Sequence, residues 1–330
     1  MIGDVVLPDT RPEEWPRIRE FLKNRIQRTF GMPSSAFPAG KAQVKDIEPY
    51  EKYGLAHLKL KYHVIDDEWN EAVIILPKSG NMALPAPAVL AVHGSNGALG
   101  KNGCVEPATG IADPYAIELA MRGYVAMAVD QLGFGATIDK IPQKDLYAKF
   151  YERHPGWTLD GRRLHEQKRA LDVLEQMKEV KPGAFCIIGN SLGGRAVMHL
   201  AAMDERVKAA VVSAGISPNC TNVYRRITWS EPQNPMLSRE IQKAFGQVPW
   251  DYHEMIALCA PRGVLSIEPY NDDYNPDVNV TIACLSSASK VYKLCKASEK
   301  LSFLIHGEGH GTGDALREYA YSWFDRQVQS

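Results

Sequence analysis

The segment Gly189-Asn190-Ser191-Leu192-Gly193 has the form G-x-S-x-G. A serine there can be a nucleophile if it sits on a sharp strand-to-helix turn, and small residues two positions to either side allow that turn. An apolar run over residues 184–188 precedes it, and residues 192–203 have helical periodicity behind it. Such a helix aims its free N–H groups and positive dipole end at the serine, where negative charge develops during acyl transfer. A serine hydroxyl also needs a base to take its proton and a carboxylate to hold that base's ring. Nine histidines compete for the first role.

The rest of the chain alternates in a way that can hold such a turn. Residues 12–30 read as an N-terminal helix, and residues 54–65 and 71–76 as two strands. Residues 88–92 form a continuous apolar run, the pattern of a strand buried on both faces. Further strands are expected at 124–129, 184–188, 207–212, 264–267 and 301–305. Between and after them fall helices at 111–122, 161–180, 192–203, 249–258, 278–296 and 314–327. Strand, helix, strand at this spacing predicts an α/β fold, a mostly parallel sheet of about eight strands with helices on both faces. Residues 138–156 and 216–247 break the rhythm after strand ends, where ligand sites form in open parallel sheets. They are candidates for a small cap or substrate wall.

Here the chain resembles the α/β-hydrolase superfamily over residues 54–330. His93-Gly94-Ser95-Asn96-Gly97 stands where that family places its oxyanion loop, and Asp130-Gln131-Leu132-Gly133-Phe134-Gly135 looks like its D-x-x-G-x-G turn. Gly156-Trp157, Arg169-Ala170-Leu171-Asp172 and Ala260-Pro261-Arg262 are similar to the dienelactone hydrolase and acetyl xylan esterase-like serine esterases. The resemblance implies a base in the loop after the last strand. His310 lies there in a glycine-rich stretch, with His306 as the alternative nearer the strand. It implies a carboxylate after the strand at 263–267: Asp272 fits best, with Asp273 and Glu268 as alternatives. Leu192, next to the nucleophile, and Ser95 would supply the oxyanion N–H groups, with Gly94 as an alternative to Ser95. His93 and Asp130 read as structural.

The implied activity is that of a serine carboxylic-ester hydrolase working through an acyl-enzyme on a small or sugar-linked ester, with no cofactor. A peptidase or acyl transferase of the same fold, or a ligand-binding protein on a hydrolase scaffold, are the alternatives. Trp157, Arg225, Arg226, Trp229 and Trp250 are candidates to line the cleft. His306 and His310 have H-x-x-x-H spacing, but the glycines between them argue against the helix a zinc pair would need. No metal is expected.

Composition closes other routes. The 330 residues are 45% hydrophobic and 23% charged, and 38 Lys+Arg balance 39 Asp+Glu. That argues against disorder and against the basic footprint of a nucleic-acid binder. No run approaches the roughly 20 apolar residues of a membrane span. Cys104, Cys186, Cys220, Cys259, Cys284 and Cys295 form no C-x-x-C pair, so reduced thiols are expected. With no secretory pattern at Met1 to Asp9, a cytoplasmic location is expected. The length allows one large core, here a helical extension over 1–53 and a catalytic domain over 54–330 with cap insertions near 138–160 and 216–250.

Overall fold

The computed structural model describes residues 2–31, 41–78, 84–107, 113–139, 141–221 and 249–329. Nine strands make one sheet: β1 (Val44–Lys52), β2 (Leu55–Ile65), β3 (Glu68–Ile75), β4 (Ala86–Val92), β5 (Val125–Val129), β6 (Val180–Asn190), β7 (Val207–Ser213), β8 (Gly263–Pro269) and β9 (Leu301–His306). Their spatial order is β1-β2-β3-β5-β4-β6-β7-β8-β9. Pairing is antiparallel from β1 to β5 and parallel from β5 to β9. Strand ends β4, β6, β8 and β9 therefore point to one edge of the sheet.

Alternation along each parallel strand feeds two cores. Ala88, Leu90 and Val92 of β4, with Phe185 and Ile187 of β6, face one apolar cluster; Val89, Ala91, Cys186 and Ile188 face another. The first is covered by α1 (Trp15–Phe30), α5 (Leu159–Glu175), α6 (Leu192–Met203), α7 (Tyr252–Cys259) and α8 (Val278–Leu294). The second is covered by α3 (Tyr115–Met121) and α9 (Asp314–Gln329), with the short α2 (Asn102–Val105) beside them. Each fully buried Leu, Val or Ile contributes about 1.5–3 kcal/mol relative to exposure. That is why runs buried on both faces carry so little polar sequence.

α1 docks through Leu22, Ile26 and Phe30, four residues apart and buried. It stops at Gly31, φ 71°, where a Cβ would lie 2.0 Å from the Gly156 carbonyl oxygen. Only glycine lets the chain turn left-handed that close to another backbone.

Two expectations change. The N-terminal region over 1–53 is more than a helix, because β1 joins the sheet and brings it to nine strands. All nine residues of β1 are exposed, so the strand has no apolar face to betray it. The stretch at 138–156 contains α4 (Gln143–Arg153), in which only Phe150 is buried. Most of the second stretch, 216–247, lies outside the described residues. All six cysteines are unpaired.

Candidate active site

β6 delivers Ser191 on a backbone of φ 58° and ψ −119°. A non-glycine residue in that region stores about 1–3 kcal/mol of strain, which the surroundings must hold. They do so by close packing. A Cβ on Gly193 would sit 2.1 Å from the Val92 carbonyl oxygen, and one on Gly189 would sit 2.6 Å from the Gly193 carbonyl carbon. The Ser191 N–H donates to the Ser213 carbonyl at the end of β7, 2.9 Å away. α6 begins at Leu192, so that residue's N–H has no carbonyl one turn back in the helix to bond.

The loop after β9 brings His310 to the same edge. Its Nε2 is 2.7 Å from Ser191 Oγ, and its Nδ1 is 2.9 Å from Asp272 Oδ2. With Nδ1–H donating to the carboxylate, Nε2 presents a lone pair and accepts the serine O–H. Asp272 is 3% exposed, and its Oδ1 accepts the Tyr274 N–H at 2.7 Å. That second bond closes a turn that fixes the carboxylate's rotation. The Tyr274 ring packs on the imidazole, centroids 4.6 Å apart.

The alternatives separate cleanly. Asp273 is exposed. Glu268 is buried at the end of β8, where its Oε1 accepts from Ser266 Oγ at 2.9 Å and from the Ile216 N–H at 3.3 Å. Burial, with a smaller contribution from the nearby Asp272 charge, pushes its carboxyl up to about 8. His306 is at the end of β9 and accepts the Glu308 N–H through Nδ1.

Opposite the histidine loop, Gly94 lies against the nucleophile: a Cβ there would be 3.2 Å from the Asn190 carbonyl oxygen and 3.6 Å from Ser191 Cβ. Ser95 follows it. His93 holds this loop from beneath. Its Nδ1–H donates to Gly94 O at 2.7 Å, its Nε2 accepts the Gln131 N–H at 3.2 Å, and Gln131 Nε2 donates to His93 O at 2.8 Å. Burial lowers the His93 pKa, so the ring is neutral. Asp130 is buried in the turn after β5, accepting Lys101 Nζ at 2.7 Å and the Ala136 N–H at 3.1 Å.

The wall residues fare differently. Trp157 does not line the cleft; it is 6% exposed and packs in the core on Phe150, His154 and His165. Trp250 is likewise buried, its Nε1–H donating to Thr29 Oγ1 at 2.8 Å. A large apolar ring gains more from burial than from a wet rim. Arg225, Arg226 and Trp229 lie outside the described residues. The sequence reading passed over Tyr274, although Asp272 two residues before it and Pro276 two after it mark a turn. It also passed over Thr312, which has no local signal at all; its Oγ1 lies 2.8 Å from Tyr115 Oη and 2.7 Å from Ser213 Oγ, all three hydroxyls being buried. Among the described residues no cluster of His, Cys, Asp or Glu could hold a metal ion.

Sheet order, strained turn and strand-end loops together make the α/β-hydrolase fold. The family described as "Glucuronyl esterase, fungi" matches residues 165–295, a span that takes in Ser191 and Asp272 but stops before His310. A Bacillus subtilis (strain 168) protein described as "Putative hydrolase YtaP" is 31% identical over 130 residues, 38% of this chain. The match spans 42% of that relative's length. A glucuronoyl esterase from Solibacter usitatus superposes with a TM-score of 0.76 at 17% identity, over 99% of this chain and 97% of that one. A "putative acetyl xylan esterase" from Bacteroides fragilis NCTC 9343 superposes with 0.69 at 18% identity, over 91% and 77%.

Proposed function

We propose that this chain is a serine carboxylic-ester hydrolase that cleaves a sugar-linked ester, of the glucuronoyl type. Ser191 is the nucleophile, His310 the base and then the acid, and Asp272 the group that orients the imidazole. The observation that carries the reading is the continuous hydrogen-bonded line Ser191–His310–Asp272, 2.7 and 2.9 Å long, on a strained turn.

In the first half-reaction Ser191 Oγ attacks the ester carbonyl carbon while His310 Nε2 takes its proton. The buried Asp272 carboxylate stabilises the imidazolium. The N–H groups of Leu192 and Ser95 bind the oxyanion, each such donor being worth about 10²–10³ in rate. The intermediate collapses, the carbon–alkoxy oxygen bond breaks, and Nε2–H protonates the leaving alcohol. Water then attacks the acyl-enzyme with His310 again as base, releasing the acid and restoring Ser191.

The choice of acyl group rests on likeness: the family match covers two of the three residues in that line, and the Solibacter usitatus structure is named a glucuronoyl esterase. Two measurements test the reading. Ser191→Ala should remove at least about 10³ of kcat on a short-chain aryl ester; full retained activity overturns the nucleophile. A panel of glucuronate alkyl esters, acetylated sugars, lactones and peptide amides, ranked by kcat/KM, should place glucuronate esters first. Preference for acetylated sugars would move the substrate class, and amide cleavage would make it a peptidase. A chain that hydrolyses nothing and takes no fluorophosphonate label would be a binding protein.

A further inference from the structure

The parallel ladder of β8 and β9 ends where Pro269 faces His306. One more backbone bond follows, the Tyr270 N–H donating to the His306 carbonyl at 2.9 Å. Beyond it the two chains part, one carrying Asp272 into its turn and the other carrying His310 to Ser191. The second of these loops is weakly restrained by its own sequence. Gly307, Gly309 and Gly311 alternate through it, and Gly309 takes φ 73°. Glycine leaves a chain the most conformational freedom, so a loop of this composition needs bonds from outside to hold one shape.

Asn271 supplies two of them. Its Nδ2–H donates to the Gly307 carbonyl at 3.0 Å, and its Oδ1 accepts the Gly309 N–H at 3.0 Å. A carboxamide carries the same kinds of donor and acceptor as a peptide group. The side chain therefore adds a further rung to the β8–β9 ladder after the backbone has turned away. The two partners also fix which way the amide faces, since a carbonyl needs the N–H and an N–H needs the oxygen. Neighbouring groups work on the same loop. The Tyr270 ring packs against Gly307, where a Cβ would lie 2.7 Å from Tyr270 Oη. Within the loop the Glu308 N–H donates to His306 Nδ1 at 3.2 Å.

Asn271 immediately precedes Asp272, and Gly309 immediately precedes His310. The bond between Asn271 and Gly309 ties the residue before the acid to the residue before the base. We propose that Asn271 is a positioning residue whose amide locks the glycine loop so that the His310 imidazole meets both Asp272 and Ser191. This rests on the roles proposed above for those three residues. His310 moves a proton in both half-reactions, so a loosened loop slows acylation and deacylation alike. Slowing both by one factor lowers kcat and leaves KM where it was.

The test resolves the burst and steady-state phases of an aryl acetate reaction at pH 8, with Ser191→Ala as the blank. Asn271→Ala should slow both phases about tenfold, with KM within about twofold. Because the residue is exposed, Tm should stay within about 2 °C. Asn271→Asp keeps the acceptor for Gly309 but sets an oxygen against the Gly307 carbonyl, and it should also lower kcat severalfold with KM kept. Wild-type kcat in either variant overturns the proposal, so the second decides the matter if the first fails to fold. A loss that appears only in KM, or in one half-reaction alone, overturns it too. So does a loss that vanishes when the variant is assayed well below its own Tm, which would mark a role in stability. If Ser191→Ala stays active, the esterase reading itself has failed; if it is dead and the Asn271 variants are unaffected, only the positioning role has.

Discussion

At the β1–β3 edge of the sheet, Lys61 reaches Asp46 at 2.9 Å and Lys59 reaches Glu71 at 3.9 Å, with most of these side chains a third or more exposed. At the ends of β6, β8 and β9, Asp272, Glu268 and the Thr312 hydroxyl chain are under 9% exposed. Carboxylates are present in both places. Water screens the first set, so its pairs contribute little and tolerate exchange. The second set is desolvated, so an unmatched charge is costly there, and each specific match can be turned to chemistry. Strain follows the same division at Ser191, where left-handed backbone is locked by Val92, Gly189 and Gly193.

The contrast is broken most severely at Asp272. Asp272→Asn keeps the shape but lets the wrong imidazole tautomer form, and kcat on an aryl ester should fall about 10⁴-fold with Tm little changed. Asp273→Asn, one residue along and exposed, should stay within about twofold. Comparable losses in both would show that the loop, not one carboxylate, matters.

Glu268 tests burial without catalysis. Its folded pKa of about 8 lies above the ordinary 4.5, so the folded chain holds a proton that the unfolded chain releases. Its contribution to stability is complete below about 4.5 and is lost as pH rises through about 8. Glu268→Gln is neutral throughout. By pH 9 it should be more stable than the wild type by on the order of 5 kcal/mol, with the two chains converging near pH 5. Denaturant melts across this range that run parallel would contradict the buried, protonated acid.

The smallest effect belongs to the edge. Lys61→Met should leave Tm within about 1 °C and kcat/KM unchanged. A larger shift would mean that the edge is not the solvated border its exposure indicates.

Legibility in the sequence follows the same line. β4, β6 and β7 were readable because strands buried on both faces leave unbroken apolar runs. Ser191 was readable because the turn demands glycines at 189 and 193. β1 was not: Asp46 at φ 53°, a register shift between Lys45 and Glu48, and Pro49 mark an exposed edge strand held by backbone pairing and a few exposed side-chain contacts. Asp272, Asp273 and Glu268 lie within six positions, and spacing cannot say which carboxylate meets the imidazole. The register of β8 decides it, burying Glu268 beneath Ile216 and leaving Asp272 on the turn above. Ser213 and Thr312 lie 99 positions apart, and no local pattern pairs residues that only the fold brings together.

The most direct test of the central claim is to trap the acyl-enzyme. Quenching a reaction with an aryl acetate at low pH, then mapping the adduct by peptide mass, should find one acetyl group per chain on Ser191. A stoichiometric burst of phenolate should accompany it, and His310→Ala should abolish both. Ester turnover with no adduct, or with the acetyl group on any other residue, would contradict the account.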